Sequence, residues 1–520
     1  MAADDDDRNI DEELPNRDKL IAEAARLAGD DADLAKLIAI YWRFVPDEDL
    51  AGRSAADLYE TTVSHRELAW QRQPGEVKLS VTTPPSPEEN GEGPVAPSHT
   101  EIDIVTDDMP FLVDSITTAL TNRDLDIHVV VHPMVLAKRD ASGALTSAPC
   151  EGSGEEVTQE SWMHFELDRL RDSTAAEEVH NAILGVLNNV QECVEDWPKM
   201  RSAAFTLAEE IDAEGHRLPV PERDLLDAVG LLRWLADNNF TFLGYREYRL
   251  ADTPHGEALE AVPGTGLGLL RAEQTSPKLL STMTPEAVER VKEKRLLIVT
   301  KTNSRSTVHR NSYMDYLGFK VFDEAGNVVG ERRFLGLFTS SAYLSSVKDL
   351  PLVSRKADEV MERSGLAANS HSGKDLMAIL ETYPRDELFQ IRTDDLYRTA
   401  VDVLRLTGRR RLRFFARRDP YGRFFSCLVY LPRDRFNTDN RHKIQKILMK
   451  RLNGIGIDFS THVTETVLAR IHFTVRIDPA NPPGDVDVAS VQNELVEATR
   501  SWDADFSVLL DRQLGDEQSK

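Results

Sequence analysis

Three aspartates clustered where a strand runs into a helix are the side chains in this sequence best placed to do chemistry. In Thr106-Asp107-Asp108-Met109-Pro110-Phe111-Leu112-Val113-Asp114-Ser115, the alternating segment Glu101 to Val105 gives way to a helical period, and Pro110 suits a first helical turn. The unpaired amides and the positive dipole end of such a helix favour a carboxylate. Asp107, Asp108 or Asp114 can hold an ammonium group, and an amino acid carries both charges. Asp107, Asp108, Met109, Phe111, Val113 and Asp114 are therefore the candidate effector-binding residues. From the pattern alone, capping of the helix by its aspartates is the simpler account.

Other motifs carry less. Gly264-Thr-Gly266-Leu-Gly268 lacks the G-x-G-x-x-G spacing and the strand-into-helix setting of a dinucleotide cradle, so it reads as a loop. Gly373-Lys374 is followed by Asp375, not by Ser or Thr, and fails as a P-loop. His128 and His132 lie in an extended segment, where a spacing of four does not imply a shared helix face, and a structural or surface role outweighs metal binding. With no H-E-x-x-H and no G-x-S-x-G, no catalytic, cofactor-binding or metal-binding residue is assigned. Arg409 to Arg418 is basic and aromatic and could stack bases, or it could meet acidic surface nearby.

Composition narrows the classes. The chain has 520 residues, enough for several domains of roughly 150. Its formal net charge of −26 repels nucleic acid and anionic membrane over most of the surface, so neither is an expected partner. Three scattered cysteines make no disulfide framework, and a cytoplasmic setting follows from their usage. The acidic N-terminus is no secretory signal, and no apolar run reaches the roughly 18 residues of a membrane span.

The chain reads as an α+β multidomain protein. Residues 1–80 form a helical entry module and 81–99 a Pro-rich linker. Residues 100–215 run β-α-β-β-α, as in a ferredoxin-like sandwich whose last strand is not found, since Ser202 to Ile211 reads as helix. Residues 220–353 form a mixed α/β domain on an antiparallel sheet, and 354–393 a helical connector. Residues 394–480 run α-β-β-α-β-β, a permuted version of the first sandwich opened by a helix at Asp394 to Leu406. Residues 485–520 hold a C-terminal helix, Val488 to Leu514.

Several blocks resemble the N-terminal region of the large, multidomain NAD-specific glutamate dehydrogenases of bacteria. They are Asp108-Met-Pro-Phe-Leu-Val-Asp-Ser115, Asn238-Asn-Phe-Thr-Phe-Leu-Gly-Tyr-Arg246, Arg305-Ser-Thr-Val-His-Arg310, Arg333-Phe-Leu-Gly-Leu-Phe-Thr-Ser340, Tyr383-Pro-Arg-Asp-Glu-Leu-Phe389 and Arg418-Asp-Pro-Tyr-Gly-Arg-Phe424. The resemblance runs from about Glu101 onward. It implies ACT-type domains at 100–215 and 394–480, a PAS-like domain at 220–353, and a dehydrogenase domain further along a longer chain. On that reading this segment binds no cofactor and is inactive by itself, while the complete enzyme uses NAD to oxidise L-glutamate to 2-oxoglutarate and ammonia. Its partners would be its own catalytic domain, identical subunits and an amino-acid effector bound where strand enters helix. Two alternatives remain at this level: a stand-alone amino-acid-sensing scaffold and an RNA-binding module.

Overall fold

The computed structural model describes residues 17–83, 99–150, 157–272, 276–283, 285–406, 409–463, 467–478 and 481–500. The chain divides into two compact units, residues 1–195 with 305–312 and residues 196–304 with 313–520.

The first unit opens with helices α1 (Arg17–Arg26), α2 (Ala32–Tyr41) and α3 (Ala55–Leu68). Asp31 caps α2 through Leu34 N, and Ser54 with Asp57 forms a reciprocal capping box on α3, so polar side chains satisfy the free amides at both starts. Then come β1 (Lys78–Thr82), β2 (Thr100–Asp107), α4 (Leu112–Thr121), β3 (Ile127–Val131), β4 (Met134–Arg139), β5 (Leu145–Ser147), β6 (Val157–Leu167) and α5 (Ser173–Glu214). The sheet is antiparallel in the order β1-β2-β6-β4-β5. β3 and β4 lie end to end along β6, because Pro133 between them cannot donate to a ladder.

The strand missing from the sequence reading is β1. It pairs with β2, Leu79 opposite Ile104 and Val81 opposite Ile102. Ser202 to Ile211 is indeed helix, inside α5. The fourth strand therefore precedes the first in the chain. The Pro-rich stretch between β1 and β2 lies largely outside the described residues.

Both faces of this sheet are buried. Ile102, Ile104, Met163 and Phe165 share one of them. On the other, Val105 and Trp162 cluster with Leu37 and Ala69 of the helical entry module, while Val129 and Val131 join Ile38, Trp42 and Leu58.

The second unit takes in the end of α5, then α6 (Glu222–Trp234) and a sheet of β7 (Phe240–Thr253), β8 (Gly256–Ala261), β9 (Leu267–Gly268), β10 (Lys278–Leu279), β11 (Leu297–Arg305), β12 (Tyr313–Phe322) and β13 (Val328–Phe338), with α7 (Pro285–Lys292) between β10 and β11. Its order is β10-β8-β7-β13-β12-β11, β9 pairing with β7. Phe242, Tyr245, Leu317, Phe319 and Phe334 share a core with Ile211 of α5 and with Leu231 and Leu232 of α6. Helices α8 (Ser340–Leu344), α9 (Val353–Ser364), α10 (His371–Thr382), α11 (Arg385–Gln390) and α12 (Thr393–Leu404) follow. Lys356 of α9 is buried and donates to the carbonyls of Leu388, Phe389 and Ile391 at 2.8, 3.0 and 2.8 Å, closing the free end of α11. Burial pulls its pKa down to about 7.

The third sheet, also in the second unit, contains β14 (Arg413–Arg418), β15 (Phe424–Pro432), β16 (Gly454–His462) and β17 (Leu468–Ile477), in the order β14-β15-β17-β16. Its helices are α13 (Thr438–Arg451) and α14 (Val488–Ala498), whose Ile444, Leu448, Val491 and Leu495 pack on Ile471, Phe473 and Val475. The helix expected to open this module is α12, and it belongs to the helical core: Leu396, Ala400 and Val403 lie with Val360 and Leu376, and Leu428 and Tyr430 of β15 join that core from the face of the sheet opposite α13 and α14. The module therefore runs β-β-α-β-β-α, with the strand neighbours of the first unit's β1-β2-β6-β3. Residues 501–514 of the expected C-terminal helix lie outside the described residues.

Leu495→Ala is expected to cost about 2–5 kcal/mol, since it leaves a cavity under α14. Hydrogen exchange should then show faster opening of β15 and β17 with no change in β2 and β6.

Candidate functional site

The β2–α4 junction in the first unit is built from a strand end, an irregular turn and a bare helix start. Phe111 occupies the N-cap position with φ 75°, a left-handed conformation rare for a bulky residue, and no side chain caps the helix. Asp107 is committed on both oxygens: Arg72 holds one, and the other accepts from Gly75 N at 2.9 Å. Asp108 Oδ2 accepts from Gln159 Nε2 at 2.9 Å, and its amide donates to Gln159 O at 3.1 Å. Met109, Phe111 and Val113 are half-buried, and Asp114 is exposed. The turn thus brings the six candidate residues together but leaves Asp114 as their freest carboxylate.

A distant segment completes the junction. Residues 305–312, the link between β11 and β12, belong to the first unit. His309 N donates to Ser115 Oγ at 2.9 Å, and that hydroxyl donates to Phe111 O at 2.5 Å. The His309 and Phe111 rings lie 4.8 Å apart, and His309 Nδ1 is 3.4 Å from Asp114 Oδ2. Asn311 Nδ2 donates to Asn122 Oδ1 at 2.7 Å, and Asn189 Nδ2 of α5 to Thr307 Oγ1 at 3.0 Å, so both ends of the segment are tied down. The arrangement can hold a carboxylate on helix amides beside an imidazole and an aspartate. An amino acid presents complementary groups.

Comparison with known proteins places these parts in one family. The ACT1 domain model of glutamate dehydrogenase matches residues 37–183, helical motif 1 matches 350–409, and the ACT2 domain matches 413–503. The NAD-specific glutamate dehydrogenase of Pseudomonas aeruginosa is 37% identical over 480 residues, covering 92% of this chain, and that of Halomonas elongata is 35% identical over 479, covering 91%. That of Mycobacterium tuberculosis is 30% identical over 455 residues. The chain belongs to the large NAD-specific glutamate dehydrogenase family. It spans 29% of the length of its Pseudomonas and Halomonas relatives.

In this family member the sheet behind the junction carries a charge network that sequence reasoning missed. On the face shared with Val105 and Trp162, His164 Nδ1 meets Asp103 Oδ1 at 2.7 Å and its Nε2 meets Glu166 Oε1 at 3.3 Å. Arg53 Nη2 donates to Glu166 Oε2 at 2.5 Å, and the Tyr41 hydroxyl lies 2.7 Å from His65 Nδ1. Burial alone lowers the His164 pKa, but its bonds to both carboxylates reverse this and raise it to about 9. Burial raises the Glu166 pKa, and His164 and Arg53 together bring it down to about 2. His65 is lowered, burial outweighing the Asp103 charge. Nearer the junction, Glu160 is fully buried between Arg72 at 2.8 Å and Arg139 at 2.7 Å. The signal was there: Glu101, Asp103 and Asp107 alternate on β2, and Glu160, His164 and Glu166 on β6.

The remaining sequence motifs serve the fold. Buried Asp196 fixes the glycine loop, accepting from Gly268 N at 3.0 Å and Arg271 Nε at 2.9 Å. A side chain on Gly268, at φ +57°, would sit 2.4 Å from Leu243 O. Gly373 starts α10 under the Ser370 cap. His128 pairs with Asp168 at 2.9 Å and His132 with Ser161, and among the described residues no group of three His, Cys, Asp or Glu could hold a metal. In the basic stripe Arg413 meets Asp402 at 3.1 Å and Arg417 grips Glu387 at 2.5 and 2.7 Å, so both arginines serve the chain's own acids.

The pKa directions set a pH test. His164, raised when folded, stabilises fully below its unfolded pKa near 6.5 and loses this as pH rises through 9. Glu166 stabilises above its unfolded pKa and loses this only as pH falls toward 2. His65, lowered when folded, costs stability as pH falls below about 6.5. His164→Gln should destabilise the first unit by on the order of 2–3 kcal/mol at pH 6.5, a deficit shrinking by pH 9.5. Chemical denaturation at the two pH values checks this.

Proposed function

We propose that this chain is the regulatory and oligomer-assembly segment of an NAD-dependent glutamate dehydrogenase. The complete enzyme would oxidatively deaminate L-glutamate to 2-oxoglutarate and ammonia while reducing NAD. One observation carries the reading: ACT1, helical motif 1 and ACT2 matches fall in that order on the first sheet, on α9–α12 and on the third sheet. In this proposal the segment holds no cofactor and turns over no glutamate, and NAD binds to the catalytic domain. Residues 220–353 are the PAS-like part, the enzyme works in the cytoplasm as a homo-oligomer, and this segment docks on the catalytic domain and on identical subunits.

Regulation on this reading is linkage. An amino-acid effector at Asp107, Asp108, Met109, Phe111, Val113 and Asp114 binds one arrangement of the domains better and shifts the equilibrium by its differential affinity, commonly about 1–3 kcal/mol. The uncapped α4 start and exposed Asp114 support this site for the two charges of an amino acid. Because residues 305–312 close over the same helix start and are flanked in sequence by β11 and β12, a ligand there has a strand connection to act through.

The purified 520-residue chain, given glutamate and NAD, is expected to produce no NADH, and turnover would overturn the assignment. Calorimetry with single amino acids should find one that binds this chain. Asp114→Ala should weaken that binding about tenfold and, in the complete enzyme, remove the effector response while basal turnover is kept. An undiminished response means that the site lies elsewhere.

A further inference from the structure

The second sheet also buries a polar face. Tyr248 pairs with Glu331 and Glu331 with Lys320, which puts these side chains opposite the apolar face of Phe319 and Phe334. Residues of α7, of β10 and of the β14–β15 turn face them across a cavity of about 650 Å³. That is the size of a small-molecule site, for which volumes of roughly 300–1,000 Å³ are usual.

The acids in this cavity are spent. Glu331 accepts from the Tyr316 hydroxyl, from Arg333 Nε at 3.2 Å and from Lys320 Nζ at 2.8 Å. Asp419 behind the wall accepts from Thr300 Oγ1 at 2.9 Å and Arg423 Nε at 3.0 Å. Asp478, also on the wall, has a partner of its own.

The donors are not spent. Arg333 is clamped between Tyr248 and Tyr316, its guanidinium carbon 4.0 and 4.9 Å from the ring centres. Its Nε is engaged, but its two terminal nitrogens have no hydrogen-bond partner among the described residues. Arg423 lies 4.7 Å over the Tyr421 ring and commits Nε and Nη2 to Asp419 and Thr300, which leaves Nη1. Lys278 stands exposed on the wall. A guanidinium held by two aromatic rings loses little freedom on binding, and its fork matches a carboxylate or phosphate.

We propose that this cavity is a ligand site for a small anionic metabolite, whose carboxylate or phosphate is received by Arg333 and Arg423 with Lys278 alongside. The proposal does not rest on the effector site at α4.

Calorimetry and thermal shift on the full chain, with inorganic phosphate, succinate and uncharged succinamide as probes at millimolar concentration, test it. Phosphate or succinate is expected to bind and succinamide not; binding of phosphate alone identifies a phosphate-bearing ligand, of succinate alone a carboxylate. Arg333→Lys keeps the charge but loses the fork, and Lys278→Glu reverses a charge at an exposed position that does not threaten folding. Each should weaken binding about tenfold. If Arg333→Lys lowers the melting temperature, Lys278→Glu decides alone. No binding of either anion, or binding that both folded variants retain, overturns the proposal.

Discussion

Charge taken out of water must be answered on the spot, and that constraint governs all three sheets. A sheet covered on both faces has little solvent to screen a carboxylate or a guanidinium, so most such groups here meet a partner of opposite sign within hydrogen-bond reach, while Arg476 of the third sheet is answered by the rings of Tyr313 and Phe424. The first sheet meets this with His164 between Asp103 and Glu166, and with Glu160 between Arg72 and Arg139. The second meets it with Glu331 against Lys320 and Arg333, and the helices beside the third with Glu387 against Arg417. Such pairs add less net stability than apolar packing would. Removing one partner of such a pair leaves an uncompensated buried charge, which is strongly destabilising.

With β4 and β5 set aside, the first sheet has the order β-β-α-β-β-α of the third, although their sequences give no obvious repeat. In each, the first strand lies beside the second and closes the edge that the β-α-β-β-α part leaves open. Apolar helix faces cover one side: Val491 and Leu495 of α14 share their core with Phe473. Full burial of such side chains is worth about 1.5–3 kcal/mol each. The other side belongs to elements from outside the repeat, the entry helices in the first case and, in the second, the helical core that Leu428 and Tyr430 join. The common plan is thus a sheet with one face for its own helices and one for a neighbour.

At the β2–α4 junction the same logic acts on a smaller scale. The strained Phe111 backbone is held by Ser115, and Ser115 in turn by the amide of His309. A helix start secured from a point 194 residues away is coupled to whatever moves that segment.

Much of this was legible in residues alone. The alternation over Glu101 to Val105 and the helical period over Ser202 to Ile211 depend on neighbours within a few positions, which backbone geometry reads locally. So do Asp107, Asp108 and Asp114, grouped on one turn, and the blocks that resemble the glutamate dehydrogenases. What tertiary structure decided is pairing across long separations. Only folding could put β1 on the edge of β2, exchange α12 for α14 on the third sheet, tie Asp107 to Arg72 and set His309 on α4. Local propensity fixes which segments become strands and helices. Which of them meet is chosen by the burial and charge pairing of the whole chain, and no window of sequence contains that choice.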